Sequence, residues 1–229
     1  MEDYDFDLVT VGGGLGGSAL AKKMAAHGAR VLVLERERLF SDRIRGEWIA
    51  PWGVAEAQRI GINGVLLERC AHELPYFETI GIGPARDLRT TTLQRMPALT
   101  LYHPSMQEAL LEAARISGAE IWRGATVRGI KPSSPRAVLV EHEGRAEEIR
   151  ARLIVCADGR SSAGRQWGGF VARREKQKLL GAGLLFENLV TSGDTAKSFL
   201  SPELRRVAYL FPQTKRTNAR VPYIRPIQG

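Results

Sequence analysis

The chain opens on two kinds of apolar pattern. Phe6-Asp7-Leu8-Val9-Thr10-Val11 is a short, mostly apolar run of strand type that stops at Gly12-Gly13-Gly14. Leu15 to His27 carries small and apolar residues with Lys22 and Lys23 on one side, which predicts a helix, and Gly28 ends it. Val31-Leu32-Val33-Leu34 is a continuous apolar run, as in a parallel strand buried on both faces. The pattern therefore predicts strand, glycine turn, helix and strand, closed by Glu35.

Farther along, Pro51 fits the first turn of a helix that continues through Ala55, Ala57 and Ile60 to Gly61. Residues 75–83 and 86–93 predict two short strands, with turn signals at Gly81, Gly83 and Pro84. Pro104 opens a second helix, with Met106, Ala109, Leu110, Ala113 and Ala114 as its apolar stripe and Gly118 as its stop. Strands are predicted at 120–122, 127–130, 137–141 and 148–149. Leu153-Ile154-Val155-Cys156-Ala157 is one more buried-type strand. It runs into Asp158-Gly159-Arg160-Ser161-Ser162, a turn with helix-start character. Beyond residue 170 the pattern weakens to strands at 179–186 and 207–211. From Gln213 onward, basic residues and prolines without periodicity predict little regular structure.

Composition narrows the class. A length of 229 residues allows one large domain or two small ones, and 44% hydrophobic residues is ample for a core. No apolar run approaches the roughly 18 residues of a membrane span. The acidic start, Met1-Glu2-Asp3-Tyr4-Asp5, does not resemble a secretory signal, so a cytoplasmic location is expected. Cys70 and Cys156 offer neither a disulfide framework nor metal-ligand spacing, and Cys156 reads as a small buried hydrophobe. The net charge of +8 sits mostly in residues 171–229, which hold 11 Lys/Arg against 4 Asp/Glu. No nucleic-acid motif accompanies it, so the excess reads as a solvated face or a surface that meets another part of the protein.

The chemistry lies in the first glycine turn. In Gly12-x-Gly14-x-x-Gly17, Gly12 permits the tight turn, Gly14 lets a pyrophosphate approach the backbone, and Gly17 lets the helix pack close to the sheet. The amides at the helix start, with the positive end of the helix dipole, suit phosphate. Glu35 stands 23 residues after Gly12, where a carboxylate accepts from adenosine ribose hydroxyls. The whole strand–turn–helix–strand–acid unit points to dinucleotide binding.

Two further stretches extend this. Asp42-Arg43-Ile44-Arg45-Gly46-Glu47 looks like an arginine–glycine loop that passes over a flavin, and Cys156-Ala157-Asp158-Gly159-Arg160-x-Ser162 is similar to an Ala-Asp-Gly-x-x-Ser fingerprint. With the glycine turn, these give residues 5–170 a resemblance to the FAD-dependent aromatic-hydroxylase-type monooxygenases, the group that includes para-hydroxybenzoate hydroxylase. The resemblance implies an α/β fold: a Rossmann-like FAD-binding domain of glutathione-reductase type, with an incomplete β-sheet substrate domain. It implies an FAD-binding domain over 1–170 with an inserted segment at about 65–100, the start of a substrate-domain sheet at 171–212, and a poorly ordered basic tail at 213–229. FAD contacts carry over to Gly12, Gly14, Leu15, Gly16, Gly17, Glu35, Arg36, Arg45, Gly46, His103, Val127 and Asp158. The electron donor implied is NADH or NADPH. The reaction implied is hydroxylation or epoxidation of a small organic substrate, through oxygen added at the flavin C4a atom. Trp48, Trp52, Tyr76, Phe77 and Tyr102 are candidates for a substrate wall or for core.

Some features depart from the family. His103 stands where an arginine or glutamine is common. The family's third fingerprint, Gly-Asp followed by Ala and His, is missing; Gly193-Asp194 lacks its flanking pattern, and the chain reads as cut short at its C-terminal side. Two alternatives follow: an FAD-dependent reductase of the geranylgeranyl-reductase type, or an inactive FAD-binding fragment. A flavin halogenase fits less well, since no lysine lies between Lys23 and Lys131.

Overall fold

The opening strand–turn–helix–strand unit forms where the apolar pattern places it. The computed structural model describes residues 4–42, 47–132, 134–173, 179–186, 188–213 and 219–226. In chain order the elements are β1 (Phe6–Val11), α1 (Leu15–Ala25), β2 (Val31–Glu35), β3 (Trp48–Ile49), α2 (Pro51–Arg59), α3 (Asn63–Arg69), β4 (Ala71–Leu74), β5 (Tyr76–Thr79), β6 (Arg86–Asp87), α4 (Leu88–Thr91) and β7 (Ala98–Leu101). There follow α5 (His103–Ile116), β8 (Glu120–Arg123), β9 (Thr126–Lys131), β10 (Ala137–His142), β11 (Arg145–Cys156), α6 (Gly164–Trp167), β12 (Leu179–Phe186), β13 (Thr195–Ser201), β14 (Arg206–Pro212) and β15 (Ala219–Pro226). Two units divide the chain, Met1–Ser41 with Gln107–Arg173, and Asp42–Met106 with Arg174–Gly229.

The first unit is built on a sheet ordered β8-β2-β1-β11-β10-β9. β1 lies parallel to β2 and to β11, with Val11 opposite Leu34 on one side and Cys156 on the other. Alternation along the strands fills both faces. Leu8, Val31 and Val33 point to one face, where α1 adds Ala21 and Ala25 and α5 adds Leu111 and Ala114. Val9, Leu32 and Leu34 point to the other, with Val138, Val140 and Ile149. Each such Leu or Val stabilises the fold by about 1.5–3 kcal/mol when fully buried. The strands at 148–149 and 153–157 expected separately are one strand, β11, whose first half pairs antiparallel with β10 and whose second half pairs with β1.

The second unit holds a sheet ordered β12-β15-β14-β13-β5-β6 and a three-stranded sheet ordered β3-β7-β4. Its core gathers Leu74, Leu88, Ala98, Ala196 and Phe211. Trp48 stacks on Phe211 at 5.8 Å and lies tilted on Phe77 at 6.0 Å, so both belong to this core. The predicted strand at 86–93 is instead the two-residue β6 and the short helix α4, because the Asp87 carboxylate accepts from the Arg89 N–H and caps a turn. Residues 219–226, where little regular structure is expected, form a strand paired to β12 and β14.

Candidate functional site

The carboxyl ends of β1, β2 and β11 meet at one edge of the first sheet. β1 connects through α1 to β2 on one side, while β11 flanks it on the other, so this is where the strand order changes direction. Open parallel sheets place ligands outside the strand ends at such points.

The glycines line this edge in three different ways. Gly12 sits at φ +103°, and a Cβ there would stand 2.6 Å from the Ala157 carbonyl oxygen. Gly17 is buried, and a Cβ on it would collide with the Gly12 carbonyl oxygen; α1 can approach β1 only because neither residue has a side chain. Gly14 is the opposite case. It has an ordinary extended backbone, φ −72° and ψ −170°, and a Cβ would meet nothing nearer than Gln107 Nε2 at 3.8 Å. At Gly16 a Cβ would meet nothing within 4 Å. Gly14 caps α1 without a side-chain hydrogen bond, and no acidic residue occupies the first turn. The amides of Leu15, Gly16 and Gly17 precede any intrahelical acceptor, so they are left for solvent or an anion.

Glu35 faces this turn. Its side chain is buried, Oε2 accepts from the Gly13 N–H at 2.7 Å, and Oε1 accepts from the Glu37 N–H at 2.7 Å. Each carboxylate oxygen retains a further lone pair. The Ala125 N–H donates to the Glu35 carbonyl at 3.0 Å, which brings the start of β9, and so Val127, beside the end of β2. Val127 itself is half-buried against the core. Arg36 is exposed and paired to Glu37 at 3.2 Å.

Asp158 follows β11. Oδ2 accepts from the Gly164 N–H at 3.0 Å, while Oδ1 is buried without a hydrogen-bond partner among the described residues. Burial acts to raise its pKa, but the Gly164 N–H and the nearby Ser162 hydroxyl outweigh it and hold the carboxyl below its ordinary value. Cys156 is exposed, not the buried hydrophobe expected, and the run it closes is not the buried strand expected either: Leu153 is exposed, and Ile154 and Val155 are half-buried. His103 opens α5, half-buried, and belongs to the other unit. Arg45 and Gly46 lie outside the described residues. Gly193 and Asp194 lead into β13, where the His72 Nε2 lies 2.7 Å from the Gly193 carbonyl and the Thr195 hydroxyl donates to Asp194 at 2.8 Å.

Two residues on α5 reach the turn that motif reading does not mark. Leu111 Cδ1 would be 3.2 Å from a Cβ on Gly13, and Gln107 faces Gly14. Their spacing of four residues, one helical turn, is the signal that unites them.

The FAD binding domain model matches residues 5–226. Rifampicin monooxygenase of Streptomyces venezuelae is 28% identical over 212 residues, which is 90% of this chain and 42% of that protein. Digeranylgeranylglycerophospholipid reductase of Thermoplasma volcanium is 25% identical over 174 residues, 74% of this chain and 42% of that protein. The crystal structure of p-nitrophenol 4-monooxygenase PnpA from Pseudomonas putida superposes with a TM-score of 0.78 at 24% identity, covering 98% of this chain and 58% of that one. The chain thus spans about half the length of the proteins it matches, and the structural likeness speaks for the fold alone.

Proposed function

The chain belongs to the FAD binding domain family, and on that premise we propose that it is the FAD-binding part of an NADH- or NADPH-dependent monooxygenase acting on a small organic substrate by hydroxylation or epoxidation. The observation that carries this is the space over Gly14, where a Cβ would meet nothing closer than 3.8 Å, next to two glycines that tolerate no Cβ at all. Other turns of the chain also leave glycines open, Gly28 and Gly61 among them; the space over Gly14 differs in lying at the start of α1, where the first-turn amides face it. The orphaned Oδ1 of Asp158 and the uncapped start of α1 fit the same ligand.

In this reading the first-turn amides of α1 hold the diphosphate and Gly14 lets it approach. Glu35 has two roles. It ties the turn to β2 through the Gly13 N–H, and its remaining lone pairs accept from the ribose hydroxyls. Asp158 Oδ1 accepts from a hydroxyl of the chain that links the diphosphate to the flavin. Its low pKa keeps it an acceptor at neutral pH. FAD, when bound, would supply the redox chemistry by which hydride from a nicotinamide and dioxygen give an oxygenated substrate and water. The protein's part is to bind, orient and shield it from water.

The reductase relative supports a second reading, in which the same site serves reduction of a carbon–carbon double bond. Absorbance and mass analysis of the purified protein test the shared premise: a yellow protein with FAD near one per chain is expected, and a folded protein that stays colourless in added FAD refutes it. Turnover that needs dioxygen supports the monooxygenase. Reduction of an alkenyl lipid without oxygen supports the reductase.

A further inference from the structure

Gln107 is the polar group of α5 that faces the glycine turn. Its Nε2 lies 3.8 Å from where a Cβ on Gly14 would stand, while Leu111, one turn later on the same face, packs at Gly13. The side chain is half-buried, and no described residue hydrogen-bonds its carboxamide. A carboxamide that is only half-buried is free to bond water, and a ligand entering that space meets it in the water's place. This one is held by a 14-residue helix whose Leu110, Leu111 and Ala114 are fully packed, so its position is set by the core. It points at the clear space over the second glycine.

We infer that Gln107 is a cofactor-positioning residue: its carboxamide N–H donates to the diphosphate of FAD from the side of α5, opposite the amides at the start of α1. The inference rests on the proposed FAD site and adds to it a clamp made of two helices. A neutral donor suits a diphosphate already met by one positive helix end. It adds a directed hydrogen bond without an unpaired charge when the site is empty.

The test is fluorescence titration of the flavin-free full chain with FAD, and separately with ADP, comparing the wild-type protein with Gln107→Leu, Gln107→Glu and Gln107→Arg. Gln107→Leu is expected to weaken both ligands about tenfold, the worth of one hydrogen bond to a charged acceptor at a half-exposed site. Gln107→Glu is expected to weaken them further, with a gap that narrows as salt rises. Gln107→Arg, which restores a donor, is expected to bind at least as tightly as wild type, an outcome that a packing role does not produce. Melting of the unliganded variants checks the fold, and Gln107→Met replaces Gln107→Leu if the latter fails to fold. FAD binding within twofold of wild type in both Gln107→Leu and Gln107→Glu overturns the inference, as does loss of FAD affinity with ADP affinity intact. Wild-type protein that binds neither ligand overturns the FAD site itself.

Discussion

Gly14 and Gly17 stand three residues apart in one motif, yet the structure assigns them opposite failures. In Gly17→Ala the new Cβ is driven into the Gly12 carbonyl oxygen, a backbone atom that cannot swing aside, and reaches the Ala157 Cβ at 3.4 Å. Gly to Ala inside a helix ordinarily gains up to about 1 kcal/mol. Here α1 must lift off β1, loosening the contacts of buried Ser18, Ala19, Ala21 and Ala25. Overpacking of this kind costs about 1–3 kcal/mol, and a rigid backbone partner places it at the upper end. At about 3 kcal/mol, a chain of this length loses roughly 6–12 °C in melting temperature. In Gly14→Val the backbone is already in the extended region, open to any residue, and the new Cβ meets only the end of the flexible Gln107 side chain, at 3.8 Å, so the flavin-free protein should melt within about 2–4 °C of wild type, a change of about 1 kcal/mol. The valine stands where the diphosphate should lie, and FAD retention should be lost. Circular dichroism melts without ligand and FAD titration of each variant decide it. The reasoning is refuted if Gly17→Ala melts at the wild-type temperature, or if Gly14→Val keeps its FAD.

Three further outcomes follow from the same edge of the sheet. Glu35→Gln presents an amide N–H2 to the Gly13 or the Glu37 N–H, and should destabilise even the unliganded protein by about 1–3 kcal/mol in urea unfolding; an unchanged midpoint would show that the carboxylate does not hold the turn. Asp158 has a folded pKa below the 3.8 of an ordinary aspartate, so its contribution to stability is complete above that value and disappears as pH falls through the lower, folded pKa. The wild-type protein should therefore be more stable than Asp158→Asn at pH 6, with the difference closing on acidification below about pH 4; melting curves from pH 6 to pH 2.5 read the gap, and one that widens in acid contradicts the shift. Arg123 lies over the Phe40 ring at 5.0 Å, donates to the Arg38 carbonyl at 2.9 Å and pairs with Glu108. Arg123→Lys keeps the charge but loses the planar fork, and should cost about 1 kcal/mol with little relief from salt, since most of the loss is geometric; a stability equal to wild type in denaturant melts would show the pair to be ornamental.

What the sequence disclosed, and what it hid, follows from how far each contact reaches along the chain. The glycine turn could be read because its constraints are local: Gly12 needs a positive φ, Gly17 needs contact with a carbonyl five residues away, and both demands are met by residue type at fixed spacing. Glu35 was legible for a related reason, since one strand–helix–strand unit fixes where the end of β2 falls relative to the end of β1. Gln107 was not legible. Its placement over Gly14 depends on α5 docking against the turn through Leu111, a contact between parts of the chain 93 residues apart, and nothing in its own neighbourhood separates it from any other glutamine on a helix. Cys156 misled for the converse reason: an apolar run of strand type predicts burial along its length, but this half of β11 is incompletely covered, with Leu153 and Cys156 exposed and Ile154 and Val155 half-buried. β15 lay beyond reach as well, because its register is set by β12 and β14 and not by any alternation of its own. The same logic bears on Asp158. The fingerprint located it after β11 but did not reveal that one oxygen is spent on the Gly164 N–H while the other stays buried and unmatched. Within the proposed FAD site the two oxygens divide the work: Oδ2, with the Ser162 hydroxyl nearby, fixes the turn before α6, and Oδ1 is the oxygen left to accept from the cofactor.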